Sequence, residues 1–238
     1  MLKKSGLFVL ILIVFISNVY CDSYSYNFEI MKDSDLSTTV YVNDSGDVGN
    51  SLIIIGGIHG NETAGIMVAE ELSSYTPQKG VVIVIPRANT AACKSISRTE
   101  YYLDDLNRSF IGDVNGNNTQ RLAWEIAQTI IRYKPVMVID LHESKGKYDE
   151  STGFIGESIV IDRTLDTDSV LIAFEVMDKL NFTILSGAPE GSINKEISEN
   201  LGIPVITIET DANQELEQRV TEHLQIINIM LKYYGLED

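Results

Sequence analysis

His59 and Glu62 stand three residues apart in IIIGGIHGNETAG, which runs from Ile53 to Gly65. Residues at that spacing in a helical first turn point the same way. A catalytic zinc site commonly takes two histidines and one glutamate and leaves its fourth position to water. His142, in VIDLHES, supplies the second imidazole. A plain strand-to-helix turn uses the same residues: Gly56 and Gly57 would shape it, and Glu62 would favour the dipole of the helix that follows. The chain has three histidines. The third, His223, falls in an amphipathic segment beside Glu222 and reads as a surface residue outside the ligand set.

Water polarised by such a metal needs a carboxylate near the metal that is not itself a ligand. Glu209, at the end of VITIETD, fits by position. Glu143, beside His142, is a lesser alternative. A carbonyl attacked by water becomes an oxyanion, and a cation or hydrogen-bond donor must stabilise it. Arg98 and Arg108 are the candidates. Arg108 with Asn107, in DLNRSF, can instead hold a substrate carboxylate, because guanidinium offers a two-pronged fit. Asp140 either orients a ligand histidine or caps its loop.

The elements around these residues must bring them together. Short apolar runs occur at Leu52–Ile55, Val81–Ile85, Val136–Ile139 and Pro204–Ile208. Helically spaced segments lie between or after them, at Ala64–Leu72, Gln120–Ile131, Val170–Leu180 and Gln214–Leu231. Another strand is expected near Ser37–Val42, where β-branched and aromatic residues gather. Continuous apolar strands alternating with helices imply an α/β fold: a mainly parallel, mixed sheet with helices on both faces. Ligands gather beyond the carboxyl ends of strands in such sheets, which is where His59, Glu62, His142 and Glu209 fall.

GGIHGNE, DLNRSF, DLHES and a glutamate ending a late strand resemble the succinylglutamate desuccinylase/aspartoacylase family, a branch of the zinc carboxypeptidase clan. The resemblance covers about Leu52 to Asp211. It implies a single zinc carboxypeptidase-like domain and hydrolysis of an amide next to a carboxylate. By resemblance, His59, Glu62 and His142 bind one Zn2+ per chain. Glu209 activates the water and then passes its proton to the leaving amine. Asn107 and Arg108 grip a substrate carboxylate. Three departures stand out. Arg98, the nearest match to the family's oxyanion arginine, lies somewhat farther from the Asp-Leu-Asn-Arg stretch than that pattern has it. A tyrosine that relatives carry shortly before the base has no counterpart, since none occurs between Tyr148 and Tyr233. The β-rich domain that follows the base in intracellular aspartoacylases is replaced by a stretch long enough for one helix. A more open cleft would follow, which makes a peptide substrate easier to accommodate.

Length and charge bound the rest. The 238 residues suffice for one core, with a formal net charge of −16. Such a chain repels nucleic acid and anionic lipid. Residues 1–21 have Lys3 and Lys4, an apolar run from Leu7 to Ile16 and a small residue at Cys21, the layout of a secretory signal. An uncleaved membrane anchor is the other reading of that stretch, and the chain's only expected tie to a membrane. Residues 22–238 then form the catalytic domain. Cleavage after Cys21 leaves Cys93 as the one cysteine, so no internal disulfide forms. The expected protein is secreted or extracytoplasmic and acts on a small N-acyl amino acid or a peptide with a free carboxylate. A metallocarboxypeptidase or cell-wall peptide amidase is the alternative, and an inactive secreted binding module a further one.

Overall fold

The computed structural model describes residues 22–162 and 166–238. The expected leader, residues 1–21, lies outside them. The chain begins with β1 (Tyr24–Ile30), β2 (Thr38–Asp44) and β3 (Ser51–Ile55), followed by α1 (Thr63–Leu72), β4 (Val81–Ile85) and the short α2 (Thr90–Ser95). A single 3-10 turn at Leu106–Arg108 precedes α3 (Asn118–Tyr133) and β5 (Met137–Ser144). Then come β6 (Ser158–Ile161), α4 (Thr167–Leu180), β7 (Thr183–Ser186), α5 (Ile193–Leu201), β8 (Val205–Asp211) and α6 (Leu216–Tyr233).

The strands form one eight-stranded sheet in the order β1-β2-β4-β3-β5-β8-β6-β7. The four apolar runs of the sequence are its centre, β4-β3-β5-β8, and all pair in parallel. Antiparallel pairing enters at β1–β2, β2–β4 and β6–β8. This is the mixed, mainly parallel sheet expected.

Side chains alternate between the two faces of each strand, and the core divides accordingly. Leu52, Ile54, Ile139, Leu141, Ile206 and Ile208 pack against α1, α4 and α6 through residues such as Val68, Ile172 and Ile226. Ile53, Ile55, Val138 and Val205 pack against α3 and α5 through Leu122, Ile126, Ile130, Ile193 and Ile197. Truncating a fully buried residue such as Ile54 to alanine costs about 2–5 kcal/mol. Among the described residues no helix is long and apolar enough to cross a membrane.

Two expectations are corrected. β1, β6, β7, α2 and α5 were not foreseen, because their runs are short or polar; β1 reads YSYNFEI and faces mostly outward. His223 is wholly buried, not a surface residue. The apolar stripe of α6 reaches around to its position, so the helix turns it toward Thr210, whose Oγ1 lies 3.4 Å from His223 Nε2.

Candidate active site

The site is built where β3, β5 and β8 end. β3 leaves the sheet through Gly56 and Gly57. The turn is tied to the loop after β4, with Ala88 N donating to Gly56 O at 2.9 Å and Asn89 N to Gly57 O at 2.8 Å. Gly57 has φ +71°, a left-handed conformation that favours glycine. This fixed exit delivers His59, and Glu62 follows at the position just before α1.

β5 delivers His142. Asp140 lies two residues earlier on the same face of the strand. β8 runs parallel alongside, pairing Asp140 with Thr207 and His142 with Glu209. Paired residues of parallel strands share a face, so sheet geometry alone places Glu209 next to His142. Glu143, one residue on, falls on the opposite face. Its Oε1 accepts from Ala64 N at 2.6 Å, and its Oε2 pairs with Arg219 of α6. Both oxygens are occupied by these partners, although Glu143 also lines the cleft.

His59, Glu62 and His142 converge, each offering a ligand atom within 4.8 Å of the others. The two imidazole centroids are 4.8 Å apart. His59 Nδ1 lies 2.7 Å from Glu62 Oε1, and His142 Nδ1 lies 2.8 Å from Glu62 Oε2. The second contact is close enough for an ion pair but lacks hydrogen-bond geometry, which leaves Glu62 Oε2 a buried acceptor without a donor. Two imidazole nitrogens and an unsatisfied carboxylate oxygen facing one point are the donor set of a zinc-type cation. The residues present fit that metal.

The outer ring nitrogens are held by carboxylates. His142 Nε2 is 2.9 Å from Asp140 Oδ2, and His59 Nε2 is 3.2 Å from Asp105 Oδ1. Such partners fix the ring's orientation and protonation pattern so that the inner nitrogen faces the metal. Asp140 therefore orients a histidine. Asp105 does the same and was missed in the sequence, since nothing in local spacing says that it meets a residue 46 positions away. Asp105 also accepts from Arg98, whose Nε and Nη2 lie 3.1 and 2.9 Å from Oδ2.

The electrostatics follow from these pairs. Burial pushes the Glu62 carboxyl up, but the imidazoles of His142 and His59 more than reverse this and hold it at about 2. Burial pushes His142 down, and the carboxylates of Asp140 and Glu62 outweigh it, raising the ring well above its ordinary value. Burial raises Asp105 too, and His59 and Arg98 pull it well below the usual range. Glu209 is only partly compensated. Burial pushes it up to about 8, with His142 and Arg98 pulling the other way and Glu62 and Asp140 adding to the rise. A dication nearby would draw it back down.

A cleft of about 300 Å³ contains His59, Glu62, His142, Glu209, Arg98, Asn107 and Arg108 in its walls. The residues singled out as ligands, base, oxyanion donor and carboxylate clamp all line it, and Asp140 lies behind His142. Asn107 Oδ1 accepts from Ile193 N at 2.9 Å, which leaves its Nδ2 to the cleft, 3.5 Å from His142 Nε2. Arg108 donates to Asn107 O at 2.6 Å and has no carboxylate partner among the described residues. Gly191 (φ +73°) lets the loop before α5 lie against this pair, since a Cβ there would meet Arg108 O at 2.3 Å. Lys145 also lines the cleft, whereas Lys147 pairs with Glu157 at 2.7 Å. Cys93 is buried, and burial pushes its thiol up to about 11, as suits an inert core residue.

Residues 48–225 match the model of the succinylglutamate desuccinylase/aspartoacylase catalytic domain. An N-alpha-acetyl-L-2,4-diaminobutyric acid deacetylase from Halomonas elongata is 37% identical over 99 residues, covering 40% of this chain and 28% of that enzyme. Among solved structures, an aspartoacylase family protein from Mesorhizobium loti superposes with a TM-score of 0.68 at 20% identity, covering 91% of this chain and 68% of that one. The tripeptide-bound cell shape determinant Csd4 from Helicobacter pylori gives a TM-score of 0.69 at 18% identity, covering 90% and 56%. The fold is thus shared with both, and the chain spans about a quarter to two thirds of the length of these relatives.

Proposed function

The chain belongs to the succinylglutamate desuccinylase/aspartoacylase family, and from that premise we propose that it is an exported zinc-dependent hydrolase that cleaves an amide next to a carboxylate. One observation carries this reading: three ligand atoms from two separate stretches of chain meet at one point, with Glu209 in the same cleft. His59, Glu62 and His142 would hold the metal. A zinc ion there would polarise the substrate carbonyl and make water a stronger acid, with a pKa of about 7 in such sites.

The chain's own residues do the rest. Glu209 takes a proton from the attacking water at its carboxylate and gives it to the nitrogen of the departing amine. Its place in the same cleft as the ligand set suits it to move that proton. Arg98, held by Asp105, presents a guanidinium to the cleft for the oxyanion. Asn107 Nδ2 and the Arg108 guanidinium take the substrate carboxylate, because Asn107 Oδ1 is already committed to α5. Export is proposed from the basic and apolar leader of residues 1–21.

A small N-acyl amino acid is the first substrate class. A peptide, cut in the manner of a carboxypeptidase or a cell-wall amidase, is the second. It is favoured by the shared fold of the Helicobacter pylori protein, which holds a tripeptide. Metal analysis with a panel of N-acyl amino acids and short peptides tests both. About one zinc per chain and chelator-sensitive release of an amine are expected. A metal-free protein with no turnover would return the chain to the inactive binding module, and turnover unaffected by Glu209→Gln would assign the base to another residue.

A further inference from the structure

A second cavity of about 260 Å³ adjoins the catalytic cleft. Asn107, Ile155, Pro189 and Glu209 belong to the walls of both. We propose that this cavity receives the side chain of the leaving amino acid and selects an aliphatic chain that ends in a hydrogen-bond donor over one that ends in a carboxylate. The proposal rests on the amide-hydrolase reading above.

Its placement follows from stereochemistry. The leaving amino acid has three polar or bulky groups on one carbon: the carboxylate, the nitrogen and the side chain. With the carboxylate on Asn107 and Arg108 and the nitrogen facing Glu209, the side chain is left to the space bounded by Asn107 and Glu209. That space is the second cavity.

Its chemistry follows from the walls. Ile155, Val160, Leu185, Ala188 and Pro189 give an aliphatic lining, and no lysine, arginine or histidine contributes to it. A carboxylate entering would lose its water and gain no counter-charge. Glu209 in the wall, and Asp140 behind Thr207, would add repulsion. One polar group does ask for a partner. Asn194 of α5 is 2% exposed and turns its amide nitrogen to Val160 O, Val205 O and Thr207 Oγ1, at 3.0, 3.3 and 3.1 Å. Its Oδ1 is left buried with no donor among the described residues. A buried acceptor without a donor is costly. Asn194 lines the cavity, so a small shift of its amide would bring that oxygen to an incoming N–H or ammonium, and the Glu209 carboxylate in the same wall favours the same end group. Ser192, whose hydroxyl accepts from Lys195 N at 3.3 Å, and Thr207 add hydroxyls to the wall that bring no charge. The aspartate and glutamate of the family's name would both be disfavoured here.

The test uses the zinc-loaded full chain with Nα-acetyl-lysine, Nα-acetyl-glutamine, N-acetyl-leucine and N-acetyl-glutamate. Hydrolysis is followed on the unaltered protein and binding by calorimetry on Glu209→Gln. The lysine and glutamine derivatives should exceed the glutamate derivative by about tenfold or more in both readouts, with leucine between them. Leu185→Arg, on the half-exposed edge strand β7, should reverse the order by supplying the missing cation. Hydrolysis without discrimination, or a preference for glutamate, overturns the pocket and leaves the hydrolase standing. No hydrolysis of any of the four, with the binding order intact, overturns the hydrolase for these substrates and leaves the pocket standing. The order in the unaltered protein decides the matter even where Leu185→Arg fails to fold.

Discussion

His142 and His223 are the same residue type, both buried at one end of the sheet, yet they sit on opposite faces and end in opposite states. On the α3/α5 face, His142 has Asp140 on one ring nitrogen and Glu62 near the other, and its pKa is raised. On the α1/α6 face, His223 Nε2 lies near the Thr210 hydroxyl, its Nδ1 has no hydrogen-bond partner among the described residues, and burial pushes it down to about 3. Burial acts on both rings in the same direction. The neighbouring carboxylates make the difference, and a strand's two-residue repeat supplies one of them, Asp140, directly.

Changes on the two faces should therefore have different consequences. The largest effect belongs to His142→Ala, which should abolish both bound zinc in metal analysis and amide hydrolysis. Glu209→Gln should keep the metal but lower kcat by about 10²–10⁴, the usual worth of a positioned acid–base group. Arg98→Ala should cost about 10²–10³ in kcat with little change in KM, if its guanidinium meets only the oxyanion. An equal rise in KM would assign it to ground-state binding instead. Asp140→Asn should weaken zinc binding by about 10–100-fold in a competition titration. Unchanged affinity would erase the proposed distinction between the two histidines.

The smallest effect on activity belongs to His223→Gln, which should leave hydrolysis near its original rate and alter only the pH dependence of stability. An unfolded histidine binds a proton below about pH 6.5, and His223 in the fold resists until about pH 3. Its contribution to stability is therefore complete above pH 6.5 and is lost as pH falls toward 3, on the order of 5 kcal/mol in all. Denaturant titrations of chelator-treated protein should show a shallower loss over that window in the variant. Glu209 works the other way. Raised to about 8, it lowers metal-free stability as pH climbs from 4.5, and Glu209→Gln should flatten that limb.

The centre of the sheet was legible because four apolar runs can only be strands buried on both faces. The candidate ligands were legible because His59, Glu62 and His142 follow two of those runs, and the structure brings the three together. Glu209 was readable from its position at the end of a third. Asp105 was not, since its partner is fixed by the path of the loop after α2 and not by any period in the sequence. His223 was misread because a neighbouring Glu222 suggests a polar face, whereas one step around a helix is about 100° and separates the two. Glu143 stays the lesser alternative as a base, since adjacency in a strand puts it on the face opposite His142. The edge strands were missed where polar or short segments borrow their hydrogen bonds from a sheet that only tertiary structure provides.

The in-register pairing of His142 with Glu209 sets the spacing of the proposed ligand and base through the hydrogen-bond ladder of two central strands. Part of the wall around them, at Lys145, Ile155 and Pro189, hangs from loops outside that ladder. The proposed chemistry and the outer rim of the cleft are thereby carried by mechanically separate parts. Loops can be lengthened, shortened or exchanged to admit new molecules without disturbing the spacing that breaks the bond.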